Sequence, residues 1–378
     1  MKTIQTLEKL VSYPTISSSP VIELAAYLAQ VAEDNKFDVI QFETSPTKVN
    51  VVAHLGPRGK NGLALCGHMD VVPTAGQEWH SDPFVLTTKK DRLYGRGSCD
   101  MKGFIAASMS AIEDHSFRNP KEGLTLIWTH DEEVGCLGAQ ALQRQLQQAN
   151  ISLPRAILIG EPTNMNICRM TGGHTTVEIA LTGIPAHSSK PHLGRSAIAA
   201  AMLAIEKVHS VQSILHDQPC PHHEMHGACS LINIAQIAGG EAINIIPEKC
   251  TIRLGIRPMP GHDIREIIEQ IRQQMKFVSE KTQCEIHVLV PQNAPPLLTP
   301  ENTDLERILR KKRPQAKSVG VPFATDGGPL AELDTTPLIC GPGSIDVAHK
   351  PNEYIPIAEL LDCKQMVSSL IYDWCLSE

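Results

Sequence analysis

A chain of 378 residues is long enough for two domains, each with its own core. Its 42% hydrophobic and 20% charged shares are those of a soluble globular protein. A formal net charge of −7, with no basic cluster beyond Arg310-Lys-Lys-Arg313, speaks against a nucleic-acid partner, and no apolar stretch approaches the length of a membrane span. The eleven cysteines include no CxxC pair, and their odd number fits reduced thiols in a cytosol better than a disulfide framework. The first ten residues read as an amphipathic helix start without the apolar region of a signal peptide, so a cytoplasmic protein is expected.

Periodicity predicts helices over residues 3–14 and 21–35, then neighbouring strands over 37–42 and 48–55. A tight turn at 56–62 leads into Leu63-Ala-Leu-Cys66, a buried strand that breaks at Gly67 and delivers His68 and Asp70. Two residues apart on an extended backbone, both side chains leave one face. An imidazole beside a carboxylate begins a metal shell, though a His at a strand end also serves as a hydrogen-bonded structural residue. A hairpin-like passage over 85–93 precedes Asp100, which stands just before an apolar helix over 103–112 and could equally be a plain N-cap. A second core strand, 123–129, ends in His130-Asp-Glu-Glu133, ahead of a helix over 138–148. A third, Ala156-Ile-Leu-Ile159, ends in Gly160-Glu161. Parallel strands would bring these tips to one edge of a sheet, where ligands of open α/β folds sit.

From about Gly172 the texture changes to alternation, as in half-exposed antiparallel strands. Strands over 175–182, 228–238, 244–257 and 284–290, with helices over 196–210 and 263–280, give a strand-helix-strand-strand-helix-strand order. The first texture then returns, with a helix over 304–312, a strand over 336–340, His349 in a loop and a last helix over 357–376. The expected fold is therefore α/β, a mixed and mainly parallel sheet flanked by helices, with an inserted α+β (ferredoxin-like) domain. The boundaries are residues 1–172, the insert 173–289, and 290–378.

His68 and His349, with Asp70, Asp100, Glu132, Glu133 and Glu161, suit zinc, manganese or cobalt in a catalytic role. Five ligands exceed one open tetrahedral ion and fit two ions sharing a bridging carboxylate, roughly 3.5–4 Å apart. One carboxylate must stay off the metals to act as general base on the attacking water.

Five motifs in order and spacing, GHMDVVP, YGRGSCDMKG, THDEEVG, GEPT and GPGSIDVAHKPNEY, resemble the dinuclear zinc amidohydrolase family of acetylornithine deacetylases, succinyl-diaminopimelate desuccinylases, aminoacylases and glutamate carboxypeptidases. The resemblance covers nearly the whole chain. It implies that His68 and Glu161 hold one divalent ion, Zn2+ with Co2+ as a substitute, and Glu133 and His349 the other, with Asp100 bridging. It also implies that Asp70 orients His68, that Glu132 is the general base and then the acid, and that His187 of the insert polarises the scissile carbonyl across a homodimer. Asn244 and Arg257 would hold the substrate carboxylate, and Asp326 and Gly327 would line the pocket. GPGSI followed by AHKPNEY is most similar to the deacetylases, which implies hydrolysis of N2-acetyl-L-ornithine in arginine biosynthesis. Thr325-Asp-Gly327, where many of them carry Thr-Glu-Ala or Thr-Glu-Gly, leaves open a desuccinylase or a broader N-acyl amino acid hydrolase or dipeptidase. An inactive metal-binding scaffold is the non-enzymatic alternative. The resemblance implies a small N-acylated amino acid as partner, with no nucleic acid and no membrane.

Overall fold

The computed structural model describes residues 2–17, 19–115 and 120–377, which divide into two compact units. The first comprises residues 1–170, 299–320 and 325–378, and the second 171–298 and 321–324.

Three strands in the first unit, Leu63–His68, Leu124–Thr129 and Ala156–Pro162, are buried at every residue. A run buried on both faces carries no polar alternation, and such strands sit in the interior of parallel sheets. The Leu63–His68 strand lies between the other two and is parallel to both. Thr336–Gly341 continues the parallel run beside Ala156–Pro162, and Ile167–Thr171 pairs antiparallel beyond it. On the other side Lys48–Leu55 and Asp38–Ser45 add antiparallel strands. The sheet is thus mixed, with parallel strands at its centre, and helices flank it. Helix Lys102–Ile112 is buried throughout and packs on helices Lys2–Val11 and Ile357–Ile371. Its side chains Phe104 and Ile105 are 1% exposed, each worth about 1.5–3 kcal/mol of hydrophobic stabilisation.

The second unit is a four-stranded antiparallel sheet in the order Leu231–Gly239, Lys249–Arg257, His174–Thr182, Glu285–Ala294. Helices Ala197–His216 and Ile264–Thr282 complete the predicted strand-helix-strand-strand-helix-strand order. Val177, Ile179 and Leu181 of the central strand pack with Ala200, Ala204 and Val208 of one helix and Ile267, Ile271 and Met275 of the other. Helix Ala197–His216 corrects the reading that no apolar stretch reaches spanning length: its 20 residues have a mean hydropathy of 1.3 in the most apolar window. The reason is its alanine-rich face, which lies on the sheet core of this unit.

Several boundaries differ from expectation. Residues 244–248 precede the strand, which begins at Lys249. The Glu285–Ala294 strand runs through the Val290-Pro291 dipeptide. Ile167–Thr171 and Ser318–Val321 are short strands that the sequence does not lead one to expect, and they pair with each other toward one edge of the sheet. The last helix ends at Ile371 and continues as a wider π turn over Tyr372–Leu376. None of the eleven cysteines is in a disulfide.

Gly160 marks a close approach in the first unit, because a β-carbon there would lie 1.7 Å from Cγ of Phe104. The Gly160→Ala variant is expected to lose about 3 kcal/mol or more of stability through overpacking. The drop should be visible as a lower urea midpoint, and a wild-type midpoint would mean that the Phe104 ring has room to move.

Candidate metal centre

The site is built where the three buried parallel strands end. His68 pairs in register with Thr129, and the Met69 amide donates to the Thr129 carbonyl at 2.8 Å, so the two chains leave the sheet together. Thr129 is followed by a sharp turn in which Asp131 has φ of 51°. That turn separates the three consecutive acids. Asp131 faces away toward Lys48 and the His130 ring, whereas Glu132 and Glu133 face His68, Asp100 and Glu161.

Asp100 lies between the two imidazoles. Its Oδ1 is 3.1 Å from Nε2 of His68, and its Oδ2 is 3.1 Å from Nε2 of His349. The alternative of a simple N-cap is corrected: helix Lys102–Ile112 is capped by Met101 without a side-chain bond, and the Asp100 carboxylate is committed to the two rings. His349 Nε2 also meets Glu133 Oε2 at 2.9 Å, and His68 Nε2 lies 4.0 Å from Glu161 Oε1. His68, Glu132 and Glu161 form one cluster of donor atoms within 4.8 Å of one another, and His68, Asp100 and Glu133 another.

Asp70 is buried, yet its carboxylate is 3.7 Å from His68 Nδ1. The ring instead pairs with the Asp70 backbone carbonyl at 2.9 Å. The carboxylate accepts the amides of Glu132 and Glu133 at 3.0 and 3.2 Å, and the Ser17 hydroxyl at 2.8 Å. Asp70 thus fixes the ring through its main chain and the Glu132-Glu133 turn through its side chain.

The electrostatics are those of a crowded anion site. Burial and the neighbouring Glu161 push the Glu132 carboxyl well up, and burial with Asp100 does the same to Glu161. Burial and Asp100 raise Glu133 to about 7. Contacts with Asp100 and Glu133 raise His349 to about 10. Burial pulls His68 down, but the bond to Asp100 and the surrounding acids outweigh it and lift the ring well above its usual range. Burial also opposes ionisation of Asp100, yet the two histidines hold it below the ordinary carboxylate range. The three glutamates and the two histidines are thus drawn toward protonation, whereas Asp100 between the rings stays ionised.

No Lys or Arg among the described residues forms an ion pair with Asp100, Glu132, Glu133 or Glu161. Glu133 Oε1 and Glu161 Oε1 are buried without any hydrogen-bond partner. Orphaned carboxylate oxygens are costly unless a cation reaches them. An oxygen-rich set with two imidazoles fits divalent metal ions.

The remaining predicted residues lie elsewhere. Asp326 is buried behind the centre, where Oδ2 accepts from Thr129 and the carboxyl groups with Glu132 and Cys136. Burial raises it to about 6. Gly327 begins the short buried helix Gly327–Ala331 and donates its amide to Thr325 Oγ1. In the second unit, His187 is exposed, with Nδ1 2.7 Å from Ser189 Oγ. It bridges Ile245, and the Ser188 amide donates to the Asn244 carbonyl at 2.9 Å, so His187 and Asn244 are neighbours. Arg257 ends the Lys249–Arg257 strand with its side chain exposed. Sequence reading passes over Cys136, whose thiol is 3.5 Å from Glu132 Oε1, and over the buried pair Arg96–Glu353. Both members of that pair stand in quoted motifs, but no spacing rule links residues so far apart.

Residues 64–373 match the Peptidase family M20/M25/M40. The chain is 31% identical to an acetylornithine deacetylase of Myxococcus xanthus over 98% of this chain and 97% of the relative. It is 30% identical to an acetylornithine deacetylase of Buchnera aphidicola subsp. Acyrthosiphon pisum (strain APS) over 98% of each. Among solved structures it resembles the M20 family metallo-carboxypeptidase Sso-CP2 from Sulfolobus solfataricus, with a TM-score of 0.75 at 18% identity over 98% of each chain. It also resembles the aminopeptidase PepT from Bacillus cereus, with a TM-score of 0.73 at 18% identity over 98% of this chain and 97% of that one. With the match spanning most of its length, and relatives aligned end to end, the chain belongs to the Peptidase family M20/M25/M40.

Proposed function

We propose that this protein is a dinuclear metal amidohydrolase that converts N2-acetyl-L-ornithine and water to L-ornithine and acetate, as in arginine biosynthesis. The substrate class is carried by one observation, the end-to-end relationship at about 30% identity to curated acetylornithine deacetylases. The chemistry is supported by the buried donor set with its orphaned carboxylate oxygens.

In this reading His68 with Glu161 and Glu133 with His349 would hold two divalent ions, zinc by preference, and Asp100, between the two rings, would contribute to both sites. When bound, they would supply Lewis-acid polarisation of the amide carbonyl and acidify water. The chain's own residues do the rest. Glu132 takes a proton from the attacking water as the C–O bond forms. It then passes that proton to the departing amine as the C–N bond breaks, so that acid and base work are done by one carboxyl group. Asp70 keeps Glu132 in position through its amide.

His187 and Asn244, adjacent on one exposed face, and the exposed Arg257 are assigned to the substrate, a guanidinium being suited to bidentate capture of a carboxylate. Asp326, clustered with Glu132, and Gly327 after it are assigned to the lining of the substrate pocket. The insert expected over residues 173–289, which lies within the second unit, is assigned as lid and homodimerisation domain. Its exposed edge strand Leu231–Gly239, with Leu231 and Ile237 about half exposed, is the feature that supports pairing with a second copy. Cytoplasmic residence is proposed because none of the eleven cysteines is in a disulfide.

Three outcomes test this reading. The Glu132→Gln variant should lose about 10²–10⁴-fold in kcat while binding as much metal as the wild type. Loss of metal instead would mean that base and ligand are exchanged. Zinc must displace the His349 proton, held up to about 10, and part of the Glu133 proton, held to about 7. The metal-free protein therefore binds more protons than the loaded one, and apparent zinc affinity rises with pH across that window. Calorimetric titration in buffers of unequal ionisation enthalpy should reveal the released protons, and buffer-independent heats would count against both ligands. Initial rates on N2-acetyl-L-ornithine and N-succinyl-LL-diaminopimelate decide the substrate. A hundredfold preference for the first in kcat/KM, about 2.7 kcal/mol, is expected, and the reverse preference would transfer the assignment to a desuccinylase.

A further inference from the structure

His349 is held by unusual means. Its side chain is 51% exposed and its backbone has φ of 63°, the left-handed region that a β-carbon disfavours. A ligand on such a loop needs anchoring from outside, and three polar side chains provide it. Gln77 Nε2 donates to the His349 carbonyl at 3.0 Å. Gln77 Oε1 accepts from Arg96 Nη2 at 2.7 Å and from the Trp79 indole at 3.2 Å, so both ends of the amide are engaged. Arg96 Nη1 donates to Glu353 Oε2 at 2.6 Å and reaches the Lys350 carbonyl at 3.4 Å.

Glu353 completes the circuit. Its Oε1 accepts the amides of Cys99 and Asp100 at 2.9 and 3.0 Å, and its Oε2 accepts the Gly97 amide at 3.1 Å. One buried carboxylate therefore grips the backbone that presents Asp100, and through a guanidinium and an amide it reaches the backbone that presents His349. Arg96 and Glu353 are each 1% exposed. A buried ion pair is poor value for stability, since an apolar replacement is often neutral or better, whereas it fixes geometry well. Hydrogen-bond partners behind metal ligands commonly set ligand orientation and metal affinity.

We propose that Glu353, Arg96 and Gln77 form a positioning network that sets Asp100 and His349 relative to each other. The inference rests on the assignment of those two residues as metal ligands, and the experiment separates the two claims. Cobalt(II) is titrated into metal-free wild type and into His349→Ala, Gln77→Ala and Glu353→Gln, with bound metal and visible absorption as readouts. Thermal unfolding of each metal-free form is measured in parallel. Gln77→Ala leaves the buried pair intact, so its metal-free unfolding midpoint should match the wild type. Its affinity for one of the two cobalt ions should fall about 10–100-fold with an altered spectrum, and Glu353→Gln should lose at least as much. If His349→Ala binds cobalt like the wild type, the ligand assignment itself fails. If His349→Ala loses an ion while Gln77→Ala keeps wild-type affinity and spectrum, the network is overturned and the ligand assignment stands.

Discussion

Negative charge crowded onto one end of a buried sheet is the constraint on which the rest of this structure turns. Asp70, Asp100, Glu132, Glu161 and Asp326 are buried there, with Glu133 beside them. Two like charges 4 Å apart at an effective dielectric of about 20 repel by about 4 kcal/mol. The fold accepts that cost at several places at once, and no Arg or Lys among the described residues forms an ion pair with Asp100, Glu132, Glu133 or Glu161. Protons relieve it in part, which is why both histidines are drawn strongly basic and several acids are drawn up. Divalent cations relieve it further and reverse the local logic, favouring ionised carboxylates and neutral imidazoles. Anything that binds the folded site and not the unfolded chain also stabilises the fold by mass action. Metal loading and folding stability are therefore linked in this protein.

The architecture makes such crowding possible. Parallel neighbours end at the same level, so His68, the Glu132-Glu133 turn and Glu161 arrive together from three separate stretches of chain. The strands are apolar up to their ends apart from Thr125, and the hydroxyl of Thr129 at the strand end donates to Asp326. Rigidity comes from the buried apolar runs, and chemistry comes from the two or three residues that follow each run.

Much of this was legible in the sequence because it depends on residue type at a strand end. An apolar run of four to six residues closed by a Gly or a sharp turn reads as a central strand, and an acid or His just beyond it reads as a candidate ligand. The limits are equally physical. Which of Asp131, Glu132 and Glu133 turns inward depends on a positive φ at Asp131 and on Lys48, more than eighty positions away. The double duty of Asp70, carbonyl to one ring and carboxylate to two amides, is invisible to a pattern of side chains. Strands as short as Ile167–Thr171 carry too little periodicity to be read, and helix Ala197–His216 is apolar enough to pass for a spanning segment until its sheet is seen. The Arg96–Glu353 contact joins residues 257 positions apart, which no local rule reaches.

The proposed division of labour among three glutamates also needs a physical source, because the side chains are chemically identical. Glu133 and Glu161 each keep one buried oxygen without a partner, the state expected of a group built to meet a cation. Glu132 differs. Its Oε1 has the Cys136 thiol at 3.5 Å, and Asp326 stands in the same cluster behind it. A weak thiol donor orients a carboxylate without competing seriously for its proton, and a neighbouring acid makes that proton easier to retain. Asp70 holds the main chain at both Glu132 and Glu133, so the two cannot exchange places by a slip of the turn. Environment, rather than residue type, thus separates the carboxyl group free to carry a proton from those left open for metal.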